Sequence, residues 1–524
     1  GRTNPFSAAA TGFPKKALLK SPTSDATDTV GWDITQKILW RRITPLGNGS
    51  GHPRTTSCET AILDTLFPMD LTKDPIPGLV RKIAVPASVG IFFNTMYTLV
   101  DTFFAGFIST EALAALSICF PVMFLKMALN SGISAGSSVL ITNALGAKNQ
   151  DKAHHICLQS ISFACMVGVV VATTLYLVSP HLFQFLGAKD EYLEMAVDYM
   201  NVILCGTLFG NLQGIFNSGL SSQGDTKPFR NVLIAGFFLN CVLDPWFMFG
   251  GFGIPAMGLK GLALATIIIQ FLGAVYMFGK LRRTELWEKA KFSELKPSRT
   301  YGEITRLGVP ASFETGSIAV LVFIATFFLS KFNTEGVAAY GIGIRIQSFI
   351  ILPTFGLGIA VFSLTGQNNG ANKPERIRET LNITLKYGLF IMLVGGVLLF
   401  FLAQPLMEIF SNDPKVIELG SDFNRVTAML LFAWVIHNQM VDLLLALKKT
   451  ISVIIICLYR QIIGPFVACY LLAFHFDMRE GGVWWGFFLV AWSAAIVSYF
   501  YGQRVLRQRL ASGQEPAESS VPVS

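Results

Sequence analysis

Four oxygen-bearing side chains inside long apolar stretches carry the chemistry that this sequence offers: Asp101, Asn240, Asp244 and Thr266. Asn240 and Asp244 are four residues apart, so a helix presents both on one face. Carboxylate, amide and hydroxyl oxygens are hard ligands that suit an alkali cation. Two carboxylates in a low dielectric also suit a proton. We therefore interpret these residues as a candidate cation-coupling site, with H⁺ and Na⁺ as open alternatives.

The elements that position these side chains are transmembrane helices. Hydrophobic residues make up 52% of the 524-residue chain and charged residues only 14%, with a mean hydropathy of +0.52. The apolar residues form blocks such as 383–403 and 451–474, long enough for the ~20 residues with which a helix crosses a bilayer. Because lipid offers no hydrogen-bond partners, such blocks must be helical. The sequence predicts an all-α, multi-pass membrane protein.

We predict twelve transmembrane helices, numbered as spans in chain order. Spans 1 to 6 are predicted at residues 79–106, 113–142, 157–179, 193–222, 229–250 and 258–281. Spans 7 to 12 are predicted at residues 304–330, 337–366, 382–403, 421–446, 450–473 and 482–505.

Basic residues sort by side of the membrane. The loops after spans 2, 4, 8 and 10 and the long loop between spans 6 and 7 are basic, whereas the alternate loops hold about one Lys or Arg each. By the positive-inside rule, both termini and the 282–303 linker are cytoplasmic, or stromal or matrix-side in an organelle. This sorting accounts for the net charge of +8, so we predict no nucleic-acid partner. The eight cysteines show no CxxC pairing and predict neither disulfides nor a metal site.

The spans and loops divide the chain into five segments. Residues 76–281 are predicted to form a first lobe, 282–303 a linker, 304–507 a second lobe and 508–524 a polar tail. The extension 1–75 holds no span and begins with basic, Ser- and Thr-rich sequence. That composition fits an organellar transit peptide, but a disordered tail is the simpler interpretation and the one we favour. The predicted location is a plasma or inner membrane, or an organelle envelope such as that of a plastid.

The two lobes are predicted to be duplicates. Shifting the chain by 224 residues aligns 85–88 with 309–312 and 146–147 with 370–371, among other signatures. Six spans per half place the second copy in the same orientation as the first. Parallel repeats of this kind are related by an axis along the membrane normal, with a substrate cavity between them.

The candidate cation site belongs to the first lobe alone. Asp244 lies ~22 Å along span 5 and Thr266 ~12 Å along span 6 from the opposite face, which puts them at similar depth. Asp101 lies near the outer end of span 1. At the 224 offset, Asp101 and Asp244 map to Ala325 and Ala468. The alternative interpretation is structural: each acid caps a neighbouring helix or pairs with Lys126 in span 2.

Other ionisable residues at membrane depth are secondary candidates: Lys126, Glu314, Arg345, His437, Asp442 and Arg460. Glu314 is expected near the cytoplasmic end of span 7, where it would reach toward Arg345 or water. His437 is interpreted as a hydrogen-bonded core residue rather than a proton relay. Asp442 is interpreted as a solvated charge near the end of span 10.

Several motifs together resemble the multidrug and toxin extrusion (MATE) transporters over about residues 76–505. They include Pro86 with Asp101-Thr102, the sequence QGDTK at 223–227, AAYGIG at 338–343 and GQNNGA at 366–371. The resemblance is closest to the DinF-like branch. There Asp101, Asn240, Asp244 and Thr266 match the cation-binding cluster, and Pro86 matches a proline at which span 1 bends.

This resemblance implies a V-shaped pair of six-helix lobes and antiport of organic compounds against H⁺ or Na⁺ by alternating access. The other main branch has its acids in spans 7 and 10. Here the corresponding span 10 position, near Val435, is apolar, which favours coupling in the first lobe. We expect small organic substrates that are cationic or amphipathic, and the lipid bilayer as the other partner. We expect a monomer and no cofactor beyond the coupling ion.

Two other functions would each require residues that this sequence lacks. A lipid-linked oligosaccharide flippase of the same superfamily would need more basic residues along its cavity than Lys126 and Arg345. A membrane-embedded enzyme would need paired catalytic groups, such as HExxH or clustered His and Asp, and the sequence contains none. We therefore predict a transporter and not an enzyme.

Overall fold

A computed structural model describes residues 69–251, 253–288 and 295–513, and this part of the chain is an all-α bundle. Spans 1 to 6 are the helices Ile76–Ile108, Thr110–Gly146, Gln150–Phe185, Asp190–Cys205 with Thr207–Ser222, Lys227–Phe249 and Leu259–Leu281. Spans 7 to 10 are Thr300–Leu329, Thr334–Gly370, Pro374–Phe401 and Pro414–Ala446, with short helices Glu285–Glu288 in the linker and Ala403–Glu408 after span 9. Span 11 consists of Thr450–Leu458, Tyr459–Ile463, Gly464–Tyr470 and Leu471–His475, and span 12 is Arg479–Gly513.

The predicted number of spans is confirmed. Eleven helices of the described residues are long and apolar enough to cross a membrane, and the two halves of span 4, bent by 46°, make a twelfth. The bend lies at Gly206, where a Cβ would overlap the side chain of Ile267 in span 6. The missing side chain therefore lets span 6 pack against the bend.

Helix ends differ from the apolar stretches that predicted them. Span 3 begins at Gln150, where the side chain of Asn149 accepts a hydrogen bond from the backbone N–H of Lys152. Span 12 continues to Gly513, into the segment predicted as a polar tail. Hydropathy identifies only the part of a helix that lies inside lipid. Capping residues and the geometry of the following loop decide where the helix ends. The predicted extension lies outside the described residues except for 69–75.

The two lobes cross at glycines related by the repeat. A Cβ on Gly132 of span 2 would overlap Ser312 of span 7, and a Cβ on Gly356 of span 8 would overlap Ser88 of span 1. Ser88 and Ser312 are separated by the same 224 residues as Gly132 and Gly356. Small residues permit this close approach of helices. The lobes therefore contact each other through spans 1 and 8 and through spans 2 and 7.

Side-chain amides join the lobes at the end of the bundle that carries the linker, which we call the linker end. Asn143 Nδ2 of span 2 donates to the Ala446 carbonyl of span 10 at 3.3 Å. At the corresponding position in the repeat, Gln367 Nε2 of span 8 donates to the Ser222 carbonyl of span 4 at 2.7 Å. Asn369 Nδ2 also donates to Asn143 Oδ1 at 2.6 Å. These bonds close the linker end between the lobes.

The segment before span 1 strengthens this closure. The Leu71 carbonyl accepts hydrogen bonds from Asn368 Nδ2 at 3.1 Å and from Arg376 Nη2 at 3.3 Å. Arg376 Nη2 also donates to the Asp74 carbonyl at 2.6 Å. The Leu71 side chain is buried beside Leu364 of span 8, and a Cβ on Gly224 of the first lobe would lie 3.0 Å from it. Residues 69–75 are thus an ordered part of the bundle, unlike the disordered extension predicted for them.

Candidate functional site

Two of the predicted cation ligands meet directly, and a third joins them. Asn240 Nδ2 of span 5 donates to Asp101 Oδ1 of span 1 at 2.8 Å. The carboxyl groups of Asp101 and Asp244 are close enough to share a hydrogen bond when one is protonated. Asn240 and Asp244 are fully buried, one turn apart on the same face of span 5. The structure therefore brings Asp101, Asn240 and Asp244 to one place.

Thr266 joins this cluster through a tyrosine that sequence reasoning missed. Tyr97 Oη donates to Thr266 Oγ1 at 2.9 Å, and Thr266 Oγ1 donates to the Leu262 carbonyl at 3.2 Å. Tyr97 lies one helical turn before Asp101 on span 1, so the spacing contained the signal. Tyr199 of span 4 is also near both carboxyl groups. Its place depends on how span 4 packs, and no spacing in the sequence indicated it.

The cluster has more acceptors than donors. Asn240 Oδ1 and both carboxyl oxygens of Asp244 are buried and receive no hydrogen bond from any residue that the structure describes. Unpaired acceptors in a low dielectric are costly, and a proton or a cation removes that cost. Neither structural alternative holds for these acids. Asp101 bonds a side-chain amide, Asp244 has no backbone donor, and Lys126 makes no ion pair with either.

Pro86 lies inside span 1, beside the crossing of the lobes. A proline in a helix interior removes one backbone hydrogen bond and weakens the helix there. Two residues further on, Ser88 Oγ donates to the Pro353 carbonyl of span 8 at 2.9 Å. The weak point of span 1 therefore lies within its contact with the second lobe, several helical turns before the cation cluster. Its role as a hinge remains a prediction.

A second cluster lies in the other lobe, around a cavity of about 600 Å³. Its charged lining residues are Glu314 of span 7, Asp442 of span 10 and Arg460 of span 11. The first lobe contributes a wall of polar residues that includes Ser131, Ser134, Ser138, Asn217 and Ser218. The predicted cavity between the halves therefore exists, with most of its lining from the second lobe.

Two interpretations of single residues were wrong. Glu314 lies near the middle of span 7 and faces the cavity and Arg460, not Arg345, which is exposed on span 8 outside the cavity lining. Asp442 lines the same cavity, and its carboxylate packs against Gly358, where a Cβ would overlap it. The sequence placed both by distance along a helix. The direction in which each side chain points depends on how the helices are rotated in the bundle.

The backbone of span 11 is widened where it carries Arg460. Tyr459–Ile463 forms a π-helical turn, and Pro465 follows it. The Pro465 ring conflicts with the carbonyl four residues earlier, at Gln461, which accounts for the wider turn. Ser317 Oγ of span 7 donates to Gln461 Oε1 at 2.6 Å. Turns of this kind are frequent at functional sites.

His437 and Lys126 are the remaining candidates. His437 is fully buried, as expected of a core residue, but neither ring nitrogen has a hydrogen-bond partner in the described ranges. It lies near Arg460. Lys126 is partly buried in span 2 and does not line the cavity. Neither residue is among those that line the cavity in the described part of the chain.

Comparison with known proteins agrees with this architecture. The MatE family model matches residues 86–246 and 310–471, two segments that begin 224 residues apart. A probable multidrug resistance protein NorM of Thermotoga maritima is 26% identical over 427 residues, covering 80% of this chain and 92% of that protein. An FAD transporter of Shewanella oneidensis is 29% identical over 356 residues, covering 66% and 77%.

Solved structures agree as well. One described as the outward-facing conformation of a multidrug resistance MATE family transporter of the MOP superfamily has a TM-score of 0.78 at 24% identity, covering 84% of this chain and 97% of that one. The fold is thus that of a two-lobed transporter. The two matches to the family model together cover more than half of the residues of this chain. The chain therefore belongs to the multidrug and toxin extrusion (MATE) family of membrane transporters.

Proposed function

We propose that this protein is a secondary active antiporter that exports organic compounds in exchange for H⁺ or Na⁺, within the DinF-like branch of the family. The observation that carries the proposal is the buried first-lobe cluster, in which Asn240 Oδ1 and both Asp244 oxygens have no donor among the described residues. Binding a positive charge would stabilise such a site, because the charge would interact with these unpaired acceptors. The names of the relatives, which include multidrug exporters and an FAD transporter, support organic compounds as the substrates.

In this mechanism Asp101 and Asp244 share one positive charge. A proton would bridge the two carboxyl groups, whereas Na⁺ would take oxygens from Asp101, Asn240, Asp244 and Thr266. Loss of that charge would leave two carboxylates repelling each other between spans 1 and 5. Relief of this repulsion would move the outer part of span 1, with Pro86 as the bend.

The second-lobe cavity is the proposed substrate site. It has the size of a pocket for a drug-sized molecule, and it touches both lobes. Alternating access would require the hydrogen bonds of the side-chain amides at the linker end to break, so that Asn143 separates from Ala446 and Gln367 from Ser222. We propose that the chain acts as a monomer, because each lobe contains its cluster within itself.

Arg460 is the one basic residue among those that line the cavity in the described part of the chain. A carrier of lipid-linked oligosaccharide, with its diphosphate, would be expected to present several. The flippase alternative is therefore the weaker of the two.

Proteoliposomes loaded with the fluorescent cation ethidium test the proposed function. Imposed pH and Na⁺ gradients, applied separately, should each be compared with no gradient. We expect efflux with at least one gradient and none without. Efflux that is equal with and without gradients would contradict antiport, and the gradient that drives transport identifies the ion.

A further inference from the structure

A smaller cavity in the described part of the chain is a crevice of about 300 Å³ between spans 5 and 6. It extends from Asn231 to Leu239 on span 5 and from Tyr276 to Ile269 on span 6, so it runs along both helices for ~12 Å. None of its described lining residues also lines the cavity between the lobes. Leu239 is 37% exposed and Leu272 47% exposed. Exposed apolar side chains at this depth, away from the central cavity, face the acyl chains of the bilayer.

Small residues keep the crevice open. A Cβ on Gly236 would lie 3.1 Å from the side chain of Ile269, and a Cβ on Gly273 would lie 2.8 Å from Val232. Spans 5 and 6 therefore contact each other on the buried side of the crevice. On its exposed side, Ala235 leaves space beside Leu239 and Leu272. An apolar slot that runs along two helices suits a linear alkyl chain.

The linker end of the crevice is polar and basic. Asn231 and Tyr276 line this end, and Asn231 Nδ2 donates to Tyr276 Oη at 3.4 Å. Arg230 Nε and Nη2 donate to Asn231 Oδ1 at 3.1 and 2.7 Å. Lys280 Nζ lies 5.5 Å from the centre of the Tyr276 ring. A guanidinium and an ammonium group therefore flank the mouth of an apolar slot.

The charges at this mouth are positive on balance. Asp225 lies within electrostatic range of Lys227, Arg230 and Lys280, so three cations share the effect of that one carboxylate. The Arg230 guanidinium uses two of its five N–H donors on Asn231, which leaves donors for an anion. The mouth is therefore complementary to a negatively charged group.

The repeat shows that these residues do more than orient the protein in the membrane. At the 224 offset, Arg230 maps to Ile454, Asn231 to Ile455 and Tyr276 to Phe500. The same scaffold in the second lobe is thus apolar where the first lobe has its polar mouth. Orientation requires basic residues at this end of the bundle but does not require them around a crevice.

We propose that this crevice binds one anionic phospholipid, with its phosphate between Arg230 and Lys280 and one acyl chain in the slot between spans 5 and 6. Basic pockets between transmembrane helices on the cytoplasmic or matrix side are places where anionic headgroups bind. The inner end of the slot, at Leu239, is next to Asn240 of the cation cluster. The inference does not depend on antiport, because lipid binding needs no gradient.

Native mass spectrometry of the purified full-length chain in detergent tests the site, because it resolves the binding of single lipids. Phosphatidylglycerol is compared with phosphatidylcholine of identical acyl chains, which has no net charge. We expect the first phosphatidylglycerol to bind at least about fivefold more tightly, as a single favourable charge contact would give. Inorganic phosphate at millimolar concentration should not displace it, because phosphate has no chain for the slot.

Variants separate the headgroup from the slot. Arg230→Gln combined with Lys280→Gln should weaken phosphatidylglycerol binding about 30-fold, because each basic group near the surface contributes about fivefold. Arg378→Gln, an exposed arginine at the linker end of the second lobe, removes the same kind of charge and is the matched control with little expected effect. Ala235→Leu fills the slot, keeps every charge and should weaken binding about tenfold, the loss of roughly two buried CH₂ groups.

Three results would overturn the inference. Equal affinity for the two lipids would exclude a site for an anionic headgroup, and displacement by inorganic phosphate would identify a soluble anion instead. Unchanged affinity in Ala235→Leu would place the lipid on the basic surface outside the crevice. Arg230→Lys keeps the charge and should retain most of the affinity, which distinguishes a lost charge from a folding defect in the double variant.

Discussion

The two lobes share one helical scaffold and place opposite kinds of chemistry on it. In the first lobe, the partly buried Asp101 and the fully buried Asp244 form a compact group of oxygen atoms, with no base beside them among the described residues. Their counterparts in the second lobe are Ala325 and Ala468. The duplicated scaffold therefore carries the candidate coupling site only once.

The second lobe shows the reverse. Glu314 and Arg460 line its cavity, and their counterparts in the first lobe are Gly90 and Gly236. A Cβ on Gly90 would lie 3.2 Å from the Arg230 Cα, and helices pack closely there instead of leaving space. A few substitutions between glycine and charged residues thus decide whether two helices close against each other or line a cavity. Under the proposed function, the lobes would divide the work, with the ion in one and the substrate in the other.

The largest effect is expected from the acids of the first lobe, and it tests this division directly. Asp101→Asn and Asp244→Asn should each abolish gradient-driven efflux at near-normal expression, because asparagine preserves shape but cannot hold the shared positive charge. Glu314→Gln is the matched change in the second lobe; it should weaken substrate binding but leave the remaining efflux dependent on the gradient. Proteoliposome efflux measures all three. A dead Glu314→Gln beside an active Asp244→Asn would move coupling to the second lobe.

A smaller effect is expected at the bend of span 1. Pro86→Ala restores a helical hydrogen bond and should slow transport several-fold while the protein remains folded. Pro310 occupies the same place in span 7 of the second lobe, so Pro310→Ala is the matched control and should slow transport less. Turnover and thermal stability are the measurements. Equal slowing by both changes would assign the same hinge function to each lobe.

The neutral members of the first cluster should matter less than its acids. Asn240→Ala and Thr266→Ala should weaken Na⁺-driven efflux about fivefold, in line with ~1 kcal/mol for one polar contact, and proton-driven efflux less. Neither side chain titrates, so proton coupling does not depend on them directly. Concentration dependence on Na⁺ at fixed pH measures the change. A complete loss with H⁺ as the driving ion would show that these residues do more than complete an Na⁺ shell.

The smallest effect is expected at the linker end, where matched variants compare the two lobes. Asn143→Ala and Gln367→Ala each remove one amide donor between the lobes, worth ~1 kcal/mol, and should open this end about fivefold more often, with the larger effect from Asn143→Ala because it also removes the acceptor of Asn369. Labelling of a cysteine introduced at Ser221, which lines the cavity near this end, reports the opening. Similar effects would indicate a symmetric closure. An effect from only one variant would assign the closure to that pair of spans.

Much of this protein could be predicted from its sequence because membrane insertion leaves the backbone few choices. Long apolar blocks must be helices, the 224-residue repeat makes two lobes, and helical spacing puts Asn240 with Asp244. The same spacing would also have identified Tyr97 beside Asp101. These features are local, or are repeated, and each is decided before any helix packs against another.

The tertiary structure alone decided where side chains from different helices point. Tyr199 reaches the first cluster because of the way span 4 packs, and Leu71 fits between the lobes although it precedes every span. Glu314 and Asp442 face one cavity with Arg460 instead of solvent or Arg345. The apolar pattern of these spans barely distinguishes one face from another, because lipid and the protein interior are both apolar. The rotation of each helix, and with it the second-lobe site, is therefore set by packing between spans and not by hydropathy.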